Sequence, residues 1–397
     1  MNSEYLSEDI LDEYFVKTYR CYRRVQILLG SCRVDVRDKF VTAPTKYHKF
    51  YSIVLVVAST YLYICTNKLI YDNKIPNHSY SYYMYFCVML LSYVSYICNI
   101  IHVRFVNSDE NSIFLVQLQK VDRLMNVDGN RSMYSFIYHT NIITLSILLT
   151  SYLLLYGVSW YKNIRDAIEL LGGFCNEVTF AIEISHCANT TLFFVTRLRF
   201  LNSIISNHLQ KDDIKSQSFF PTKNGMRYLA AKTHDFVSTD TYICLRAILD
   251  AYNEFQKIYR FQVLLYCIKS VGTILTSFNI IFLSMQDKVK LVELDLFVYV
   301  QIPFITTFDI FICTFLCVRN QLFYTEIDTT KRLCTKVMCV HYTGPLRDKA
   351  KKMLKLIQEA PPKFSVYDMW QMDVFFMLKV FNILTTYIIT TLQFALL

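Results

Sequence analysis

The chain has 397 residues, 53% of them hydrophobic and 18% charged, where a soluble globular chain carries roughly a quarter charged residues. The deficit sits in long blocks almost free of charge, which excludes an ordinary soluble domain. The net charge of +9 comes mainly from basic residues between those blocks, a pattern that reports membrane orientation rather than nucleic-acid binding.

In chain order, residues 1–50 open on the polar, acidic Met1-Asn2-Ser3-Glu4-Tyr5 and lack the basic start and short apolar core of a cleaved signal peptide. The first apolar block is therefore expected to direct insertion. A span needs about 20 mostly apolar residues to cross roughly 30 Å of hydrocarbon. Residues 51–67, 79–101 and 132–161 meet this without a charge. Residues 170–195 carry Glu177, Glu183 and His186, 261–285 carry Lys269, 294–318 carry Asp309, and 373–397 carry Lys379 after Asp373. The expected fold is all-α and polytopic, with seven transmembrane helices.

Between spans, Lys and Arg are distributed 33 to 6 in favour of the side that holds residues 1–50, with two more inside spans. The positive-inside rule puts the N-terminus in the cytoplasm and, after seven crossings, the C-terminus outside. The inner segments read as helical. Leu198, Leu201, Ile205 and Leu209 form one stripe, and Met353, Leu354 and Ile357 another. Leu245, Ile248, Tyr252, Phe255 and Tyr259 recur every three or four residues, with Arg246, Asp250, Glu254 and Lys257 off that face. Helices four to seven are expected to extend into a cytosolic bundle. The chain divides into a cytoplasmic segment (1–50), helices one to four (51–195), a helical extension (196–260), helices five and six (261–318), a second cytoplasmic helical segment (319–372) and the last helix (373–397).

Thirteen cysteines, mostly within apolar blocks and without a C-x-x-C pair, predict reduced small hydrophobes, with no disulfide framework, metal site or cofactor. No phosphate-binding, zinc-protease or nucleophile-elbow motif is present, and no enzymatic activity is expected. With eight glycines in all, and Pro303 alone interrupting a span, the paired broken helices of a transporter are absent from the pattern.

On the last span Lys379, Asn382, Thr386, Thr390 and Gln393 fall within an arc of roughly 80°. Such a face must meet protein or water. It is either a polar seam against neighbouring helices or the lining of an aqueous pore built from several copies, with Lys379 at the inner mouth.

Thr386-Tyr387-Ile388-Ile389-Thr390-Thr391-Leu392-Gln393-Phe394 resembles the Thr-Tyr, five apolar residues, Gln-Phe signature that closes the insect gustatory receptors. The lead-in from Phe364 to Asp373 is similar to that family's approach to its last helix. Thr390 and Thr391 depart from the apolar pattern. Ile388 stands where sugar-sensing members carry Glu, which argues against that branch. The resemblance implies a plasma-membrane, ligand-gated, non-selective cation channel. It implies a homotetramer, or a heteromer with related receptors, with the last helices lining the pore and a gate near Gln393 and Phe394. The expected ligand is a small-molecule tastant, more in the manner of a plant secondary compound than a simple sugar, and the expected surroundings are membrane lipid and permeating cations. An odorant-receptor-type channel, a G-protein-coupled receptor and a transporter are the rival readings; the second would need an outside N-terminus and Asp-Arg-Tyr and Asn-Pro-x-x-Tyr motifs, which are missing.

Lys269, Asp309, His186 and Glu183 lie at similar expected depths, about 12 to 18 Å from the inner span ends at 1.5 Å per residue. Mutual pairing would offset the cost of burying them, and a direct ligand or ion-pathway role is the alternative. For an outward-opening ligand site, the outer halves of spans three to six offer Tyr156, Trp160, Asn176, Glu177, Phe180, Asn279, Tyr299 and Gln301, with Trp160 and Glu177 foremost.

Overall fold

The computed structural model describes residues 10–74, 79–127, 130–160, 164–216, 236, 240–285 and 296–396. Helix α1 (Glu13–Leu28) leads into an antiparallel hairpin of β1 (Asp35–Arg37) and β2 (Phe40–Thr42). Then come α2 (Lys46–Lys74), α3 (Ser79–Ile101), a π-helical turn (His102–Val106) and α4 (Ser108–Leu124). Helices α5 (Arg131–Trp160), α6 (Ile164–Ser216), α7 (Thr241–Met285), α8 (Leu296–Val340) and α9 (Pro345–Glu359) follow. A second hairpin, β3 (Ser365–Val366) with β4 (Trp370–Gln371), precedes α10 (Val374–Leu396).

Among the described residues six helices, α2, α3 and α5 to α8, are long and apolar enough to cross a membrane. A further helix, α10, has 23 residues and is apolar over Val374–Thr390. The all-helical architecture with seven apolar helices agrees with the sequence expectation, and the two small hairpins are additions to it.

Helix α6 is the axis of the fold. Its most apolar window is 94% buried, against 17% for α2. It can be enclosed because its circumference is apolar or finely polar all round, and it packs against α1, α2, α3, α5, α7 and α8. At 53 residues α6 is about 80 Å long, far beyond the roughly 30 Å of hydrocarbon; α7 and α8, at 45 residues each, also overshoot it. The overshooting parts carry the amphipathic stripes: Leu198, Leu201, Ile205, Leu245, Ile248, Tyr252 and Phe255 are closed off from solvent, together with Met353 and Ile357 of α9. α9 starts where Pro345 can occupy a first-turn position after Gly344, whose φ of 104° turns the chain.

The part of the chain ahead of the first span is integrated into the bundle. Helix α1 presents Phe15, Thr18, Tyr22 and Gln26 on one buried face and packs on α5 and α6. Each buried aromatic there contributes about 1.5–3 kcal/mol. The β1–β2 hairpin closes through Asp38 and Lys39, both at positive φ, the two-residue turn whose twist suits a hairpin. It docks on α4.

Candidate functional site

Three charged side chains meet on the buried faces of α6, α7 and α8. Lys269 Nζ donates to Glu177 Oε2 and, at 3.3 Å, to Asp309 Oδ2. Tyr266, one turn before Lys269 on α7, donates to Asp309 Oδ1 at 2.9 Å, and Ser92 of α3 donates to Glu177 Oε1. The side chains of Asp309 and Lys269 are 0% and 2% exposed, whereas Glu177 keeps 11%. The group is therefore least enclosed on the Glu177 side. Around it, Phe180 stands edge-on to Tyr266, with ring centroids 5.5 Å apart. Tyr152 stands edge-on to Phe308 at 5.2 Å, and its buried hydroxyl has no hydrogen-bond partner among the described residues.

Of the residues expected to contact ligand, Glu177 and Phe180 belong to this group, while Tyr156 and Asn176 make other contacts. Tyr156 is buried edge-on to Phe174, and Asn176 Oδ1 accepts from Ser59 of α2 at 2.8 Å. Asn279 instead faces α10, where its Oδ1 accepts from the Tyr387 hydroxyl at 3.0 Å. The side chains of Trp160, Tyr299 and Gln301 lie outside the described residues. The sequence reading missed Ser59, Ser92, Tyr152 and Tyr266.

The expectation of one ion cluster joining Glu183, His186, Lys269 and Asp309 is corrected. Lys269 and Asp309 pair with each other and with Glu177. Glu183, six residues or about 9 Å further along α6, belongs to a second network. There Arg33, from the loop between α1 and β1, donates to Glu183 Oε2 through Nη2 at 2.7 Å and Nε at 3.1 Å. Gln26 of α1 donates to Glu183 Oε1 at 2.9 Å. Arg33 also donates to Asn111 of α4 and Gln262 of α7, and its guanidinium lies 4.0 Å from the centre of the Tyr259 ring. Burial works against the charge on Arg33, but Tyr259 and Glu183 beside it outweigh that, and its pKa is raised. Burial likewise pushes the neighbouring Cys32 thiol up, against the pull of Arg104 and Arg23. His186 pairs with no carboxylate among the described residues: its Nδ1 shares a 2.6 Å hydrogen bond with the Tyr259 hydroxyl. The shared-depth argument failed because the cation for Glu183 comes from the segment ahead of the spans. A similar pair closes the bundle further along α6, where Arg197 donates to Asp122 of α4 through two 2.7 Å bonds.

Helix α10 stands at the edge of the chain, packed on α8. Met377 and Leu384 are buried, while Lys379, Asn382, Thr386, Thr390 and Gln393 are exposed. Thr386 and Thr390 donate to the carbonyls of Asn382 and Thr386, one turn back in the same helix, at 2.9 and 2.8 Å. The polar stripe thus faces away from α8, and the polar link to the bundle is Tyr387. The side chain of Phe394 lies outside the described residues. Among the described residues no group of His, Cys, Asp or Glu is arranged to hold a metal ion.

A family model described as 7tm chemosensory receptor matches residues 19–397. Among solved structures, the chain is similar to the insect olfactory receptor OR5 from Machilis hrabei in complex with eugenol. The TM-score is 0.64 at 12% identity, over 96% of this chain and 100% of that one. A second structure of the same receptor matches with a TM-score of 0.63 over the same shares. At 12% identity the likeness concerns the fold. No curated protein matches by sequence.

Proposed function

The chain belongs to the 7tm chemosensory receptor family, and from that premise we propose that it is a gustatory receptor acting as a tastant-gated, non-selective cation channel of the plasma membrane. The observation that carries this reading is the terminal helix. Its closing Thr386-Tyr387 and Gln393-Phe394 resemble the gustatory signature, and its polar stripe is exposed within the single chain. Several copies of α10, in a homotetramer or a heteromer with related receptors, enclose a pore with that stripe, and Gln393 and Phe394 form the gate. The N-terminus is cytoplasmic. The ligand enters among the outer halves of α5 to α8 and meets Tyr156, Asn176, Glu177 and Phe180. A small-molecule ligand is in keeping with the eugenol bound by the Machilis hrabei receptor, and Ile388 in place of Glu favours a plant secondary, bitter compound over a sugar.

The test is whole-cell current recording in a heterologous cell during application of plant secondary compounds, sugars and volatile odorants. Reversible inward cation current evoked by non-volatile bitter compounds is expected. An odorant-receptor-type channel is the second reading, favoured by the likeness to an olfactory receptor, and responses confined to volatiles would select it. Currents absent for every class, from receptor present at the surface, would overturn both.

A further inference from the structure

The charges around Lys269 do not balance. Two carboxylates, Glu177 and Asp309, share one ammonium. The stretches of α2, α3, α5, α6, α7 and α8 at this level (residues 55–66, 88–99, 145–156, 173–181, 262–277 and 304–316) contain no other Lys, Arg, Asp or Glu; Lys379 of α10, eight residues before the Tyr387 that bonds Asn279, lies at a similar height but is exposed. With both carboxylates ionised, the buried triad holds one surplus negative charge within the membrane-spanning part of the bundle. A buried charge without a partner is expensive, so a cation or a proton must offset it.

The hydrogen bonds favour a cation. Asp309 accepts from Tyr266 on Oδ1 and from Lys269 on Oδ2; Glu177 accepts from Ser92 on Oε1 and from Lys269 on Oε2. All four oxygens face the Lys269 ammonium or a hydroxyl, an arrangement that satisfies two ionised carboxylates in full.

The surroundings specify what kind of cation. Glu177 has the most exposed side chain of the triad, so an incoming charge meets it first. The Tyr152 ring packs on Phe308, the neighbour of Asp309 in the chain; its buried hydroxyl has no hydrogen-bond partner among the described residues and offers an acceptor to an N–H group. The neighbours are aromatic, with Tyr152, Phe180 and Tyr266 all buried, and Lys269 Nζ already lies 5.7 Å from the centre of the Tyr266 ring. Aromatic faces beside a carboxylate are the setting in which proteins hold ammonium groups.

We propose that this layer is an ammonium-recognition site, and that the ligand it takes is a small organic amine carrying a proton, ion-paired to Glu177 and hydrogen-bonded to the Tyr152 hydroxyl. The proposal rests on the reading above that the ligand site lies among the outer halves of α5 to α8.

The test uses the full-length receptor purified in detergent, with phenethylamine and its neutral isostere phenethyl alcohol as probes, and reads binding by thermal shift. Currents are recorded separately. Phenethylamine is expected to bind at least tenfold more tightly than the alcohol. Glu177→Gln should remove that preference and leave alcohol binding within twofold. Should Glu177→Gln fail to fold, Tyr152→Phe decides the matter, because it deletes only a hydroxyl with no partner among the described residues; it should weaken the amine severalfold and the alcohol less. Equal binding of the two probes, or an amine preference untouched by Tyr152→Phe in folded receptor, overturns the proposal. So does a layer balanced by protons, seen as pH-dependent stability with no amine preference. Amine binding with this pattern but no current for any compound would leave the site standing and sink the channel reading instead.

Discussion

Arg33 and Glu183 are 150 residues apart in sequence and 2.7 Å apart in the structure, bonded where neither is exposed. The contact ties the loop between α1 and β1 to the central helix. Removing one member of such a pair costs about 3–5 kcal/mol, because the other is left buried and uncompensated. Arg33→Gln and Glu183→Gln are each expected to lower surface expression and the thermal midpoint of detergent-purified receptor. The double variant should recover part of the loss. Glu183→Gln with Lys269→Met should show no such recovery, since those residues sit in separate networks and independent sites add. If both doubles behave alike, the assignment of Glu183 to Arg33 is wrong.

The triad makes an opposite-signed pair of predictions. Lys269→Met leaves Glu177 and Asp309 facing each other without a cation, and receptor at the surface should fall sharply. Asp309→Asn removes the surplus negative charge while Asn still accepts from Lys269 or Tyr266, so surface expression should be close to wild type. Flow cytometry of an extracellularly tagged receptor measures both. An Asp309→Asn loss as large as that of Lys269→Met would mean that the layer needs both carboxylates charged.

How far the sequence reaches can be judged on these residues. The seven apolar helices were legible because hydrocarbon demands long runs without charge, and the stripes of Leu198 to Leu209 and Leu245 to Tyr259 because burial on a helix repeats every three or four residues. The charged Lys269, Asp309 and Glu177 were legible as polar side chains inside apolar blocks, though not who pairs with whom. Arg33 was not: counting basic residues for orientation treats every Arg outside a span as solvated, and no local pattern marks one that folds back. A signal did exist in the Phe15, Thr18, Tyr22 and Gln26 face, whose spacing predicts a buried helix ahead of the first span. Ser92, Ser95, Tyr96 and Asn99 likewise recur at helical spacing within an otherwise apolar stretch, the mark of a face turned toward polar partners. Pairing could not be read because depth along each helix does not fix which way a side chain points.

Gly30 tests the junction between α1 and the hairpin. Its φ is +72°, and a Cβ there would lie 2.7 Å from Leu55 Cδ1. Its carbonyl accepts from Ser52 at 2.7 Å and from Arg104 Nε at 3.0 Å, so the backbone has little room to shift. Gly30→Ala is expected to cost about 1–3 kcal/mol, read as a lower thermal midpoint. Adding Leu55→Ala should relieve the contact but not the backbone strain, and so restore only part. A Gly30→Ala midpoint equal to wild type would mean that this turn relaxes freely.

The proposed orientation rests on the 33-to-6 asymmetry of Lys and Arg. An epitope placed before Met1 should be invisible to antibody on intact cells, and one placed after Leu397 should be labelled. Labelling of the first on unpermeabilised cells would reverse the topology and remove the basis for an outward-facing ligand site.

The terminal helix offers the sharpest test of the channel reading. Thr386, Thr390 and Gln393 are exposed on one face of α10, and the threonine hydroxyls bond only to carbonyls of their own helix in the interactions described. Leu384 is buried and Tyr387 is turned to Asn279. If copies of α10 surround a pore, cysteines at Thr386, Thr390 or Gln393 should react with charged aqueous thiol reagents faster in the presence of agonist. Cysteine at Leu384 should stay inert, and cysteine at Ile388, about 160° from the centre of the stripe, should be comparatively protected. An apolar ring at a constriction blocks ions by dewetting without any charge. Phe394→Ala should therefore lower that barrier and raise current in the absence of ligand. Recording agonist-evoked current before and after reagent measures all of these positions in one format. Current insensitive to modification along the whole Thr386, Thr390 and Gln393 face, with Phe394→Ala silent at rest, would place the permeation path elsewhere in the protein.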